Sequence, residues 1–512
     1  MSDVADVVLD GRTLRLEDVE RAARDLGTRV RLAPEAEERM RRSRDFIEER
    51  VASGERVYGV TTGFGRLAEV TIAPDERAML QRNLVRSHAS GMGQPLDREA
   101  VRAIMVLRAN ALARGYSGCR VEIVHALLGL LNARIHPRVP EFGSVGASGD
   151  LAPLAHVALS LLGEGTAEHD GAEQPAAALL ERASLEPVRL SAKEGLALIN
   201  GTQATTGLGT LCLLAAERCV ETAEVAGAMS LEALLGTPEA FRAEIQDARP
   251  HEGQRVSAGR LRALLRDSEI RESHRDGDPR VQDAYALRCM PQVHGAAREA
   301  LRYVRGILET EANSATDNPL VFPDSGLVLS GGNFHAQVVS QALDLLAIAV
   351  ADLAAISERR IERMLNPDLS MGLPAFLTAR PGLESGFMIA QVTAVDLLSE
   401  LRILAHPASV DSVTTSANQE DHVSMGLTAA RKARRAVACL ERVLAAELAC
   451  AAQGMEHRRP LRGGAGVERA YGLVRERMPA LEHDRPLGPD LEALAELVRS
   501  GALAGIATEN QA

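Results

Sequence analysis

The sequence predicts an all-α protein in which a bundle of long helices follows a smaller, loop-rich N-terminal domain. Aromatic residues make up only 3% of the 512 residues, and tryptophan is absent. Alanine and leucine fill the apolar positions instead, as in packed helices rather than sheets. Two long stretches, 335–365 and 427–453, show helical spacing of apolar residues and contain no proline. A helix as apolar as the first of them must be buried among others.

The order of these elements divides the chain into two predicted domains, 1–202 and 203–512. The first combines short helices with glycine-rich loops, which usually carry function. These loops span 58–65, 90–93 and 143–150. Long helices fill the second domain, which we expect to form subunit interfaces. Gly454 is the expected C-terminal cap of the helix over 427–453, and a short amphipathic helix is expected near 491–498.

Composition and charge exclude several classes of protein. The formal net charge of −12 disfavours a nucleic-acid partner. The N-terminus does not resemble a targeting signal, so a cytoplasmic protein is expected. Asp344 and Asp352 interrupt the most apolar segment, 341–356, which argues against a membrane span. The six cysteines have no CxxC spacing, and the sequence contains no HExxH motif, so we expect neither a disulfide framework nor a metal.

The most informative stretch is GSVGASGDLAPLAH, residues 143–156, in which small residues precede a strong helix start. Asp150 can cap that helix, and Pro153 lies in its first turn. On composition alone, the stretch is a tight turn that leads into a buried helix. The Ala-Ser-Gly tripeptide within it, residues 147–149, is by itself a weak indication of anything more.

The whole stretch, however, resembles the signature of the aromatic amino acid ammonia-lyase and aminomutase family. In that family the glycine nitrogen attacks the alanine carbonyl, and loss of two waters leaves an electrophilic ring, 4-methylidene-imidazol-5-one (MIO). The resemblance implies that Ala147, Ser148 and Gly149 form this cofactor here. The residue types suit the reaction, because a compressed backbone favours Gly149 and the methylene must come from a side chain with a β-leaving group, such as Ser148.

The resemblance extends over nearly the whole chain and implies further site residues. Tyr58, in YGVTTGFG, matches a catalytic tyrosine on a mobile loop and would act as the base. Asn200, in EGLALINGTQ, matches a catalytic asparagine beside the cofactor. The matches to substrate-holding segments are Gln282, Tyr285, Arg288 and Phe334, with Tyr285 also catalytic and Arg288 suited to the substrate carboxylate. Each residue alone has a simple structural explanation, but together these explanations become improbable.

Substrate choice in the family depends on the residues that meet the aromatic ring. Ser87 and His88 resemble the pair found in histidine lyases, although some tyrosine aminomutases share it. Glu420 matches a catalytic glutamate of histidine lyases that can pair with an imidazole, and Met388 favours the same substrate. A phenyl ring would leave His88 and Glu420 without partners. For His422 we favour a structural role in a hydrogen-bond cluster.

The resemblance therefore implies conversion of L-histidine to trans-urocanate and ammonia, the first step of histidine degradation. The alternatives are a tyrosine or phenylalanine ammonia-lyase, a 2,3-aminomutase and, from a different class, a catalytically silent helical scaffold. The resemblance also implies a homotetramer with shared active sites, in which Tyr285 and Arg288 come from a different chain than the tripeptide. His294 has no assigned role and could face a neighbouring subunit.

Overall fold

The computed structural model describes residues 6–509, and helices dominate that range. The all-α prediction is confirmed. The helices are α1 (Leu16–Arg24), α2 (Pro34–Ala52), α3 (Arg77–His88), α4 (Arg98–Ala113), α5 (Val121–Asn132), α6 (Leu151–Leu161), α7 (Ala176–Arg182), α8 (Glu194–Ile199), α9 (Gln203–Ala233), α10 (Ala243–Ala248), α11 (Glu252–Leu264), α12 (Glu269–Ser273), α13 (Tyr285–Arg288), α14 (Met290–Ala312), α15 (Gln337–Leu365), α16 (Met388–Leu404), α17 (Gly426–Glu456), α18 (Ala465–Arg477), α19 (Gly488–Ser500) and α20 (Ile506–Glu509).

Short strands, each two to four residues long, pair locally between the helices. They are β1 (Val7–Leu9), β2 (Val30–Leu32), β3 (Met92–Pro95), β4 (His136–Pro137), β5 (Pro140–Phe142), β6 (Thr166–His169), β7 (Ala172–Pro175), β8 (Leu320–Phe322) and β9 (Leu327–Leu329). β1 and β2 are parallel, whereas β3 with β5, β4 with β6, β6 with β7, and β8 with β9 are antiparallel. These small sheets fix loops rather than form a core layer.

The chain divides into two compact units, and each unit is built from three segments. The first unit runs to Leu211 and adds Arg305–Asp344 and Pro407–Arg431. The second contains Cys212–Val304 and Leu345–His406, and continues from Lys432. The boundary predicted after residue 202 lies near the end of the first segment. Chain order does not reveal that two later segments pack into the first unit, and the two predicted domain ranges stay a prediction.

Helix α4 forms the centre of the first unit, since all its residues from Ala100 to Ala113 are buried. Helices α1, α2 and α5 pack against it. A second group in the same unit, α3, α6 and α8, packs together and positions the candidate site. His88 ends α3, the predicted cofactor tripeptide precedes α6, and Asn200 follows α8.

In the second unit, an ion pair between two fully buried side chains joins α15 and α17. Arg360 Nη2 lies 2.8 Å from Glu447 Oε2, and the hydroxyl of Ser230 donates to Glu447 Oε1 at 2.7 Å. Both charged side chains are inaccessible to solvent. Because the carboxylate has several donors, the buried charges are compensated.

Two predictions about long helices have different outcomes. Helix α15 ends at Leu365 as the sequence predicts, but α17 continues to Glu456, so the cap predicted at Gly454 is wrong. A Cβ on residue 454 would lie only 2.9 Å from Ala233 Cβ. Glycine is present there because two chain segments approach closely, and not because the helix ends.

Helix α15 is long and apolar enough to cross a membrane by length and composition. Of its most apolar 18-residue window, 56% is buried inside the protein. Asp344, within this helix, accepts hydrogen bonds from the backbone N–H groups of Ala408 and Ser409 at 3.0 and 2.7 Å. The Asp344 carboxylate is therefore hydrogen-bonded to backbone groups of the first unit.

Acid should destabilise the first unit through His136 on β4. The ring is 3% exposed, its Nδ1 lies 2.7 Å from Glu168 Oε2, and Arg102 Nη1 donates to its Nε2 at 3.3 Å. Burial lowers the pKa of His136 from 6.5 to about 4. The folded state therefore disfavours the protonated ring, and stability that is complete above pH 6.5 is lost as pH falls towards 4, by up to about 3 kcal/mol.

The measurement is urea unfolding at pH 7.5, 5.5 and 4.5 for the unaltered protein and for His136→Gln. We expect the variant to lose less stability between the first and last pH, because glutamine does not titrate. Equal acid losses in both proteins would contradict this prediction.

Candidate active site

The predicted cofactor tripeptide lies between β5 and α6, in a turn that only glycine can complete. Gly149 has φ +80° and forms an isolated parallel bridge with Gly201. A Cβ on residue 149 would lie 2.2 Å from the Gly201 carbonyl oxygen. The Asp150 N–H donates to that same oxygen at 2.7 Å, which keeps the two backbones together. Close backbone approach therefore explains why glycine is required here.

Asp150 holds this turn, but not by capping the helix that it precedes. Its side chain makes no cap to α6. The carboxylate instead accepts from the N–H and hydroxyl of Thr205 at 2.7 and 2.9 Å, at the start of α9, and from Ser144 Oγ at 2.9 Å. The predicted cap to α6 is wrong, because tertiary approach brings a second helix N-terminus to the same carboxylate. Complete burial raises the pKa of Asp150.

Glu420 contacts the tripeptide directly. Ser148 Oγ donates to Glu420 Oε1 at 3.0 Å, while Thr415 Oγ1 and Ser416 Oγ donate to Oε2 at 2.8 and 2.6 Å. A carboxylate that accepts three O–H groups is firmly oriented. The turn over 416–418 that precedes Glu420 has three consecutive left-handed residues, with φ between 52° and 67°. This strained turn brings the carboxylate to Ser148.

Tyr58 lies in a loop next to the Glu420 segment. The Gly65 N–H donates to Tyr58 Oη at 2.9 Å, and the Phe64 ring meets the Tyr58 ring edge-on with centroids 6.4 Å apart. The short 3₁₀ turn at Gly65–Leu67 packs beside the turn at Ser416–Asn418. The phenol oxygen accepts this bond, and its own O–H can donate to another group. The predicted mobility of this loop stays a prediction.

His88 ends α3, and one of its ring nitrogens is hydrogen-bonded within that helix. Its Nδ1 lies 2.9 Å from the Leu84 carbonyl oxygen and 3.1 Å from Ser87 Oγ. Burial lowers the pKa of His88, while the bond to Leu84 and the charge of Glu420 act in the opposite direction. Because a carbonyl only accepts, Nδ1 carries the proton and Nε2 is left as an acceptor.

Asn200 lies beside the tripeptide through its neighbour Gly201. Its Nδ2 lies 3.0 Å from the Asn318 carbonyl oxygen and 3.3 Å from Asp317 Oδ1. Its Oδ1 is buried and has no hydrogen-bond partner among residues 6–509. A buried carbonyl oxygen without a donor indicates a place for a ligand N–H.

The second unit holds Gln282, Tyr285 and Arg288 together. They line one cavity of about 380 Å³. The Arg288 guanidinium lies 4.5 Å from the centroid of the Tyr285 ring, which is itself 71% exposed. Arg288 Nε is buried and lacks a partner within the described part of the chain. These groups can therefore bind an anionic ligand.

The remaining predicted residues have simpler surroundings. Met388 begins α16 in the second unit, and Phe334 is half-buried in the segment before α15 in the first. The His422 ring stacks on His335 with centroids 5.9 Å apart, and its carbonyl oxygen lies 3.2 Å from His335 Nε2. His294 is fully buried, and neither ring nitrogen has a partner in the range that the structure covers.

Sequence patterns did not identify Lys193 and Asp317, which form a buried ion pair beside Asn200. Lys193 Nζ lies 2.7 Å from Asp317 Oδ2, and both side chains are almost inaccessible to solvent. One signal was available, because Lys193 and Lys432 are the only lysines in a chain that otherwise uses arginine. Thr415 and Ser416, which hold Glu420, were also missed, since hydroxyl residues before a turn are too common to be informative.

Comparison with known proteins identifies the family of this chain. Residues 14–476 match the family model described as "Aromatic amino acid lyase". The chain belongs to the aromatic amino acid lyase family. Among its relatives, histidine ammonia-lyase of Stigmatella aurantiaca is 54% identical over 97% of this chain and 96% of its own length.

Solved structures in the family share the whole fold. Histidine ammonia-lyase from Trypanosoma cruzi has a TM-score of 0.92 and 44% identity, and covers 99% of this chain and 96% of its own. Tyrosine aminomutase from Streptomyces globisporus has a TM-score of 0.93 and 38% identity, with 99% of each chain covered. Within residues 6–509, no group of three His, Cys, Asp or Glu side chains is arranged to hold a metal ion.

Proposed function

We propose that this lyase converts L-histidine to trans-urocanate and ammonia, as a histidine ammonia-lyase. The Ser148–Glu420 hydrogen bond carries the proposal, because it brings a carboxylate to the tripeptide. An imidazole can donate an N–H to Oε1 of that carboxylate, whereas a phenyl ring would leave this oxygen without a donor once the Ser148 hydroxyl is lost. The names of the Stigmatella aurantiaca and Trypanosoma cruzi relatives support the same substrate.

The residues present fit an MIO group formed from Ala147, Ser148 and Gly149. The Gly149 nitrogen would bond to the Ala147 carbonyl carbon. Two waters would leave, one with the Ala147 oxygen and one with the Ser148 hydroxyl. The left-handed turn at Gly149, with no room for a Cβ, favours this compact geometry. When formed, the ring supplies an electrophilic carbon that makes the substrate amine a better leaving group.

Glu420 would change partners as the cofactor matures. Loss of the Ser148 hydroxyl removes the donor to Glu420 Oε1. Thr415 and Ser416 would still hold Oε2 and so keep the carboxylate oriented. The freed oxygen can then accept an imidazole N–H of the substrate. The Ser148 hydroxyl before maturation and the substrate imidazole after it would thus donate to the same oxygen of Glu420.

The other residues would bind the substrate and move its proton. We assign Tyr58 Oη as the base that takes the β-hydrogen, since the Gly65 N–H fixes the position of that oxygen. Asn200 Oδ1 would accept an N–H of the substrate ammonium group. Arg288, supplied by another subunit, would bind the carboxylate with Gln282 and Tyr285 beside it. We assign Phe334 and Met388 to substrate binding on the family resemblance.

A tyrosine 2,3-aminomutase is the second candidate. The Streptomyces globisporus enzyme matches the fold as well as the histidine lyase does, and the Ser87–His88 pair occurs in both groups. The products distinguish them, since an aminomutase returns ammonia to the β-carbon. A β-amino acid product from L-tyrosine would favour this candidate.

The test is a urocanate assay with purified protein. L-histidine, L-tyrosine and L-phenylalanine are incubated separately, and ultraviolet absorbance is followed over time. We expect urocanate from L-histidine, much slower turnover of L-tyrosine and L-phenylalanine, and no turnover by Ser148→Ala, which has no leaving group for ring formation. Ser500→Ala, at the exposed end of α19, is the matched control and should keep full activity. Absence of turnover, with an intact mass that shows no loss of two waters, would favour the silent scaffold.

The expected homotetramer and cytoplasmic location complete the proposal. An apolar face of α16 supports subunit contact, because Ile389, Val392 and Ile403 are 62%, 56% and 69% exposed in the single chain. Activity should fall when the enzyme is diluted below the dissociation range of the tetramer, as checked by sedimentation at the same concentrations. A fully active monomer would contradict the proposed homotetramer.

A further inference from the structure

We infer that the buried Lys193–Asp317 ion pair is a positioning device that sets the direction of the Asn200 side-chain amide. The inference rests on the proposed function only in that an amino acid substrate presents an ammonium group to Asn200. It concerns which end of this amide faces the substrate. All the groups involved lie in the first unit.

The neighbours of Asn200 allow only one orientation of its amide. A carboxamide has an oxygen that accepts and a nitrogen that donates, and the two ends have nearly the same shape. Both groups close to Nδ2, the Asp317 carboxylate and the Asn318 carbonyl, can only accept. A flipped amide would place its oxygen against two acceptor oxygens. Oδ1 must therefore point away from them, and it is buried without a donor among the residues that the structure describes.

Asp317 is itself fixed from two sides. Its Oδ1 accepts from the Asn318 N–H at 2.7 Å as well as from Asn200, while Oδ2 pairs with Lys193 Nζ at 2.7 Å. Lys193 and Asp317 side chains are 0% and 1% exposed. Because an N–H donates to each of its two oxygens, Asp317 presents acceptors on both sides and has no donor to offer Asn200.

The use of lysine supports a dedicated role for this position. Only two lysines occur in the sequence, and Lys193 is the buried one. It also adopts φ +74°, which is unfavourable for a residue with a side chain. An ammonium is a compact charge that can pair with one carboxylate oxygen, whereas a planar guanidinium needs room for five donors.

The backbone of Asn200 is held separately, so only its side chain depends on Asp317. Arg108 Nη1 donates to the Asn200 carbonyl oxygen at 2.7 Å and to Gln203 Oε1 at 2.9 Å. Loss of the Asp317 charge should therefore leave the chain in place and release the amide. In Asp317→Asn, the new amide can donate to a flipped Asn200, whose NH₂ would then face the substrate ammonium group.

The experiment measures binding in the Ser148→Ala background, where L-histidine is not consumed. Two ligands are compared by calorimetry: L-histidine and 3-(imidazol-4-yl)propionate, which lacks only the amine. We expect Asp317→Asn to weaken L-histidine binding by about 10-fold, the effect of a lost charge-assisted hydrogen bond, and to change propionate binding by less than about 2-fold. The measured quantity is the ratio of the two dissociation constants, that of L-histidine over that of the propionate. In an Asn200→Ala background, Asp317→Asn should have no further effect on this ratio.

Two further variants control for folding. Lys193→Met combined with Asp317→Asn removes both charges and leaves no unpaired ion. Without the ammonium, the new amide can turn its oxygen towards Asn200 and the Asn318 N–H, so the ratio should return towards that of the Ser148→Ala protein. Glu224→Gln removes a buried carboxylate of the second unit, which pairs with Arg260 and Arg298, and should leave the ratio unchanged.

Equal weakening of both ligands, or an undiminished effect in the Asn200→Ala background, would overturn the inference. Failure of the proposed function has a different signature. If the unaltered enzyme deaminates L-tyrosine and not L-histidine, the same cycle is run with L-tyrosine and 3-(4-hydroxyphenyl)propionate, and it still decides whether Asp317 positions Asn200.

Discussion

Gly149→Ala is expected to abolish formation of the cofactor ring and to lower kcat by at least about 1,000-fold, as loss of an essential catalytic group does. The new Cβ would overlap the Gly201 carbonyl oxygen, which lies 2.2 Å from its position. The two backbones would have to separate, and with them the bond from the Asp150 N–H to the same oxygen. The Gly149 nitrogen would then lose its fixed position near Ala147.

Intact mass and turnover of L-histidine measure this effect together. We expect the variant to keep the mass of the unprocessed chain and the unaltered protein to have lost two waters. Gly171→Ala is the matched control, because Gly171 has φ +83° in the turn between β6 and β7 but open space around its Cβ position. It should lose some stability and no activity. A Gly149→Ala protein that still loses two waters would contradict the argument.

Helices could be predicted well because their patterns are local. The apolar spacing over 335–365 predicts α15, and the amphipathic stretch at 491–498 lies inside α19. Both depend on residues three or four positions apart, which the sequence shows directly. The family motif also identified the tripeptide, and its glycine proved to occupy a turn that excludes any Cβ.

Contacts between distant segments could not be predicted in the same way. Ser148 and Glu420 are separated by 272 positions, and Lys193 and Asp317 by 124. No local pattern encodes such pairs. The motif supplied Glu420 as a site residue, but only the fold places it against Ser148.

Errors at single residues have the same origin. The cap role predicted for Asp150 was right in kind but assigned to the wrong helix, since Thr205 approaches from α9. At Gly454 the sequence indicates a helix end, whereas the glycine permits contact with Ala233 inside a continuing helix. When a residue type suits two structural roles, only the groups that pack against it show which role it has.

Glu420→Gln is expected to lower kcat/KM for L-histidine by about 10- to 100-fold, the range for losing a hydrogen bond to a charged group. Glutamine keeps the shape of the side chain, but its one oxygen can accept either from Thr415 and Ser416 or on the side of Ser148, and not on both sides. It cannot supply two acceptor oxygens, so an amide N–H would face either the hydroxyl pair or the substrate ring. Activity with L-phenylalanine, which gives its ring no hydrogen bond, should change far less.

The ratio of the two activities distinguishes recognition of the ring from a role in the chemistry. A fall in the histidine-to-phenylalanine ratio assigns Glu420 to the imidazole, whereas equal losses would assign it to proton transfer or cofactor formation. Intact mass separates the last two, because a defect in formation leaves both waters on the chain. Glu173→Gln is the control, since Glu173 also accepts from a hydroxyl, that of Thr166 at 2.7 Å, and pairs with Arg138 away from the tripeptide. Its ratio should match that of the unaltered enzyme.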